Sequence, residues 1–204
     1  MLQMALSELI SSVLQVALYA VVPFVVWLAL YRKKEGFFSW IGLNKIEAID
    51  RERFVETVLG VTVMAFALRL FAKLVFSIVD DTQSHFQGLG AMSILPAMIR
   101  SIFNTGLSEE LLFRGFIGKR LCAKFGFKVG NILQAGIYGL ARGAALLTPN
   151  IPLMLATAAL TGLIGWMVGF MNEKANESGS ILPSWYIHSF SSFFSAMLAS
   201  FNVF

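Results

Sequence analysis

Apolar runs of near-bilayer length recur six times along the chain, and short charged or turn-rich pieces separate them. They cover about residues 10–30, 56–79, 91–118, 129–147, 153–171 and 181–203. A helix rising about 1.5 Å per residue needs roughly 20 such residues to cross the hydrocarbon core of a bilayer, so each run predicts one transmembrane helix. The intervening pieces are "YRKKEGFFSW", "DDTQSHFQGLG", "KRLCAKFGFK", "TPNIP" and "NEKANESGS". None is long enough for a separate soluble domain, and no repeat of 20–50 residues stands out. The pattern therefore predicts an all-α polytopic membrane protein, a bundle of about six transmembrane helices forming one domain over residues 1–204. The stretch "FFSWIGLNKIEAIDRERF" predicts a short helix lying along the membrane surface, with aromatic rings at headgroup depth.

Composition strengthens this reading. Of 204 residues 57% are hydrophobic and 14% charged, whereas soluble domains average about 45–50% and 25%. The N-terminal "MLQMALSELISS" lacks a basic n-region, and no small-residue cleavage site follows the first apolar run, so a retained first span is expected. The lone Cys122 excludes an internal disulfide and a paired-cysteine metal site, and is expected to be a small packing residue.

Charge sets the expected orientation. Eleven of the 16 basic residues lie in the loops after spans one, three and five: Arg32, Lys33, Lys34, Lys45, Arg51, Arg53, Lys119, Arg120, Lys124, Lys128 and Lys174. Cytoplasmic loops collect Lys and Arg, so both termini are expected outside, in a multi-pass protein of the cell membrane. The net charge of +4 then reflects topology and the anionic inner leaflet, and is no nucleic-acid footprint.

Five basic residues remain inside the runs, Arg69, Lys73, Arg100, Arg114 and Arg142, together with Glu109, Glu110 and His188. A charge at mid-bilayer costs about 2.5–3.5 kcal/mol on insertion scales, so such groups face the protein interior and mark candidate function. Arg69, Lys73 and Arg100 lie toward the outer half and are expected to be structural; His85, in the outer loop, is expected to be solvated.

Within "SEELLFRGF" (108–116), Glu110 and Arg114 are four apart and share a helix face, while Glu109 is turned by about 100°. One carboxylate can be held by the arginine and its neighbour left for chemistry; a double salt bridge locking two helices is the structural alternative. Glu109 and His188 lie at comparable depths from the inner end of their spans, roughly 15 and 10 Å, which suggests one buried pocket. Gly139 and Gly143, and again Gly165 and Gly169, have the four-residue spacing that permits close helix contact. A Ser192–His188 pair suggests a serine hydrolase only weakly, because no third orienting group or oxyanion site is visible.

At these residues the chain resembles a known family. "EELLFR" (109–114) is similar to the E-E-x-x-x-R signature of the CPBP intramembrane proteases, which include CAAX prenyl endopeptidases and bacteriocin-processing or immunity proteins. "NILQAGIYGLARG" (131–143) and "SILPSWYIHSFSS" (180–192) resemble the two later motifs in order and spacing. "FFSWIGLN" ahead of the second span also resembles the family. The likeness covers a protease core at about residues 95–200. It implies an endopeptidase that hydrolyses a membrane-anchored peptide or protein near the inner leaflet, with Glu109 activating water. Glu110 and Arg114 would brace Glu109, and His188 with Ser192 would stabilise the oxyanion. It also implies zinc as a possible cofactor, with Glu109 and His188 at matched positions, and the lipid bilayer as surroundings.

Two positions depart from the pattern. Tyr138 is followed four residues later by Arg142 where the family has His, and His188 is followed by Ser192 where it has Asn or Asp. Serine still donates a hydrogen bond. Arginine cannot ligate a metal or accept a proton, and beside Glu109 it favours the charged carboxylate and weakens it as a base. Two matched ligands also fall short of the three protein ligands of catalytic zinc. Arg142 is left with two roles, an ion pair with Glu109 or a receptor for a substrate carboxylate. Reduced or lost activity is therefore one expectation, and a non-catalytic membrane protein that binds a peptide or membrane partner is the alternative.

Overall fold

The computed structural model describes residues 1–76, 85–176 and 178–203, with the side chains of residue 69 and residues 72–76 outside that description. The expected positions of the Arg69 and Lys73 side chains and the end of the second span therefore lie outside the described residues. Among the described residues the chain is all-α and has no strand, only an isolated bridge between Ile49 and Asn176.

Helix α1 (Leu2–Leu30) is followed by a single turn, α2 (Phe37–Trp40), and then by α3 (Arg51–Phe76). A 3₁₀ turn (Gly90–Ser93) leads into α4 (Ile94–Ile99), which continues without a break through two π-helical stretches, Arg100–Leu107 and Glu110–Gly118. Helices α5 (Lys119–Ala144), α6 (Ile151–Lys174) and α7 (Leu182–Ser200) complete the chain. Residues 94–118 are called the rod below. It is central: α1 packs along one side and α7 along another, while α5 and α6 form an antiparallel pair beside them.

Large apolar side chains cover the outer surface. Leu14, Leu18 and Val22 on α1, Leu140 on α5, and Leu155 on α6 are all exposed. Such a contiguous apolar exterior is unfavourable in water and suits a lipid environment. Helices α1 and α6 meet a length and hydropathy criterion for crossing a membrane.

Three local expectations are corrected. The first helix begins at Leu2, so Glu8 joins the ionisable groups carried on helices. The piece "KRLCAKFGFK" is helical, because Lys, Arg, Leu and Ala are good helix formers; only Gly126, at φ +76°, breaks the rod-to-α5 path into two segments. Glycine has no Cβ to oppose that conformation. The stretch after Gly36 does form a short helix, the single turn Phe37–Trp40, but its aromatic residues do not all stay at the surface. Phe38 is exposed, but Trp40 and Ile41 are buried against Leu111 of the rod and Ile181 before α7. Trp40 also lies 5.8 Å from Phe116, centroid to centroid. This entry is possible because position 115 is glycine: a Cβ there would meet the Ile41 carbonyl at 2.6 Å.

The glycine pairs do pack helices. A Cβ on Gly143 would sit 2.6 Å from the Met154 carbonyl, and Gly139 abuts the backbone of Ala158 and Gly162. The close approach lets side-chain amides reach across to backbone carbonyls: Gln134 donates to Gly165 at 2.9 Å and Asn131 to Trp166 at 3.0 Å. The start of α6 is capped by Asn150, whose Oδ1 accepts from the Leu153 amide at 3.1 Å, so that "TPNIP" starts α6 after the preceding helix has ended at Ala144.

Candidate active site

The rod carries Glu109 at the junction of its two π-helical stretches. π-Helical turns are rare, and they often mark functional positions. The two adjacent carboxylates point at different partners, as their rotation about the helix axis requires.

Glu110 turns toward α7. Its Oε1 is 3.2 Å from Arg114 Nη1 and 3.1 Å from His188 Nδ1, and its Oε2 accepts from Ser184 Oγ at 2.5 Å. It is 1% exposed, so its charge is compensated entirely by protein groups. Arg114 is itself buried and lies over the Tyr138 ring of α5, 4.0 Å from the centroid. Tyr138 in turn stands edge-on to Phe113. Gly165 of α6 leaves room for this stack, since a Cβ there would meet Tyr138 at 3.0 Å and Arg114 at 3.4 Å.

Glu109 turns toward α5. Its Oε1 accepts from Arg142 Nη1 at 3.0 Å. Among the described residues its Oε2 has no hydrogen-bond partner, and it lies 3.9 Å from His188 Nε2. The Glu109 side chain is 9% exposed and that of His188 15%, whereas the Arg142 side chain is 34% exposed. The cluster thus contains two carboxylates and two guanidiniums, which balance at neutral imidazole. It opens to its surroundings on the Arg142 side.

Five of the six sequence-derived site residues therefore converge: Glu109, Glu110, Arg114, Arg142 and His188. Ser192 does not join them by any hydrogen bond. The rod and α7 run in opposite directions, so Ser189 lies beside Gly106 and Ser192 falls a further turn away from Glu110. The serine that reaches the cluster is Ser184, one turn before His188, and sequence reasoning missed it. Its signal was available, because residues four apart on a helix share a face. Asn172 on α6 was also missed. It donates to Ser184 Oγ at 2.7 Å and accepts from the Ser184 amide at 3.3 Å; a polar residue near the end of an apolar helix carries no spacing signal.

The donor set does not fit a zinc ion. Among the described residues no group of three His, Cys, Asp or Glu side chains is arranged to hold a metal. Glu109 Oε2 and His188 Nε2 are two donors, and a guanidinium 3.0 Å from the same carboxylate opposes a cation there.

The family model of the type II CAAX prenyl endopeptidases, Rce1-like, matches residues 91–194. The chain belongs to this family. The matched stretch contains every residue of the cluster just described. Searches of curated proteins and of solved structures give no match. Membership places the chain among intramembrane endopeptidases at the level of the family, and its apolar helices agree that it is a membrane protein.

Proposed function

We propose that this protein is an intramembrane endopeptidase that hydrolyses a membrane-anchored peptide, of the prenylated CAAX type that the family's name describes. The observation that carries this reading is the buried pair Glu109 Oε2 and His188 Nε2, 3.9 Å apart, with no hydrogen-bond partner for the carboxylate oxygen among the described residues. In this reading a water bridges the two atoms from one side of the line that joins them, about 2.8 Å from each. Its oxygen attacks the scissile carbonyl carbon while its proton passes to Glu109. The C–N bond then breaks as that proton is returned to the leaving amine, so Glu109 acts first as base and then as acid. Arg142, on the open side of the cluster, lies where a cationic donor would face an oxyanion. Zinc has no place in this scheme. We place the protein in the cell membrane as a six-span chain with both termini outside and the cluster nearer the inner leaflet, following the loop charges.

One observation favours a second reading. Arg142 Nη1 holds Glu109 Oε1 at 3.0 Å, and a paired carboxylate is a weaker base. A retired enzyme, or a non-catalytic scaffold that binds a peptide or membrane partner, would keep this pair as a helix-to-helix lock.

Purified protein in lipid, offered a farnesylated CAAX peptide, separates the two. Cleavage that Glu109→Gln and His188→Ala both abolish supports the endopeptidase. Cleavage that appears only in Arg142→His identifies a retired enzyme. Cleavage undiminished in Glu109→Gln refutes the water-activating role of that residue.

A further inference from the structure

The hydrogen bonds around Glu110 run past the family motifs into α6 and the first turn of α7. Asn172 is 1% exposed and Ser184 is fully buried. The Ser184 amide lies in the first turn of α7, where backbone N–H groups have no partner within the helix. Asn172 Oδ1 accepts from it at 3.3 Å, and this fixes the amide so that Nδ2 donates to Ser184 Oγ at 2.7 Å. The Ser184 hydroxyl has two acceptors in reach, Glu110 Oε2 at 2.5 Å and the Ile181 carbonyl at 3.0 Å. The shorter, charge-assisted contact takes its single proton, while Asn172 Nδ2 occupies one of its lone pairs. Glu110, ionised beside Arg114, can only accept. His188 must therefore carry its proton on Nδ1, the atom 3.1 Å from Glu110 Oε1. In the neutral ring Nε2 is then the bare nitrogen, and Nε2 is the atom that faces Glu109.

We infer that Asn172 and Ser184 are positioning residues: through Glu110 they hold the His188 imidazole in the one tautomer and orientation that presents bare Nε2 to Glu109. The inference rests on the reading of the cluster as a hydrolytic site. An outer hydrogen-bonding partner of this kind fixes which ring nitrogen can act; where the imidazole is a metal ligand its loss costs about 10- to 100-fold, and the same scale is taken for this metal-free pair.

The test uses the full chain in lipid nanodiscs, with two readouts. The first is kcat and KM on a farnesylated CAAX peptide for wild type, Ser184→Ala and Asn172→Leu. The second is imidazole NMR of His188 in a His85→Gln background, where His188 is the one remaining histidine, since the chain has two. The expected result is a kcat lower by about 10- to 100-fold with KM within about twofold, and a displaced or exchange-broadened His188 Nδ1–H resonance. Asn172→Leu, nearly isosteric, reads the same relay where Ser184→Ala does not fold. An unchanged Nδ1–H resonance in a folded variant, or kcat within about twofold of wild type while wild type cleaves, overturns the inference. If wild type itself cleaves nothing, the endopeptidase reading fails alone, and the NMR shift still decides the relay.

Discussion

The rod carries carboxylate–arginine contacts in two places, one near its start and two around Glu109 and Glu110, and the places differ in a way that separates a brace from a site. Near its start, Arg100 meets Glu8 of α1 at 3.3 Å, and the other Glu8 oxygen lies 3.5 Å from His85. His85, expected to be a solvated loop residue, is thus partly engaged. Both Glu8 oxygens have partners, and the Arg100 side chain is 24% exposed. At the rod's middle, Glu110 and Arg114 are almost fully buried and tied to α6 and α7. The neighbouring Glu109 keeps one oxygen unpartnered beside an imidazole. A membrane-embedded charge signals constraint in both places. Chemistry needs more: a group whose valences the fold has left open.

The largest expected difference is in turnover. Glu109→Gln lowers kcat by about 10²- to 10⁴-fold, the usual scale for a general base, whereas Glu8→Gln leaves kcat within about twofold; peptide cleavage in lipid reads both. An equal loss in the two variants would erase the distinction. Next comes stability. Arg114→Met strands a buried carboxylate and costs about 3–5 kcal/mol, while Arg100→Met, at a more exposed pair, costs about 1 kcal/mol or less. Thermal unfolding in detergent ranks them. Smaller than the Arg114→Met effect is that of Gly143→Ala, whose Cβ would crowd the Met154 carbonyl at 2.6 Å. It costs about 1–3 kcal/mol by overpacking α5 against α6, with the loss appearing in unfolding before activity.

The smallest effect concerns Cys122, on the polar segment before Gly126. Burial pushes its thiol up to about 11, above the ordinary range near 8.5. The thiol therefore stays protonated at neutral pH, and maleimide labelling at pH 7 is slow, accelerating only as pH rises toward about 11. Rapid labelling at pH 7 would contradict the burial. Slow labelling would agree with the expectation of a packing residue and not a reactive one.

Much of the cluster was legible because its parts obey local rules. Glu110 and Arg114 meet as four-residue spacing requires. The comparable depths of Glu109 and His188 follow from helix rise, and the glycine pairs announce where backbones touch. What escaped depended on how helices face one another. Ser192 and Ser184 are equally spaced from His188, one turn after and one turn before; the antiparallel course of α7 against the rod selects Ser184. Trp40 reads as an interfacial aromatic, and becomes core only because Gly115, 75 residues on, admits the chain beside it.

The sequence alone determined the membrane character, the all-α class and the residue types able to do chemistry, because hydropathy, period and charge act over a few neighbours. Tertiary structure decided which valences close and which stay open. Whether Arg142 sits on Glu109, whether Asn172 directs Ser184, and which imidazole nitrogen is bare all depend on side chains from four separate helical elements meeting within hydrogen-bond distance. Separation along the chain places no limit on such meetings, so local pattern cannot specify them.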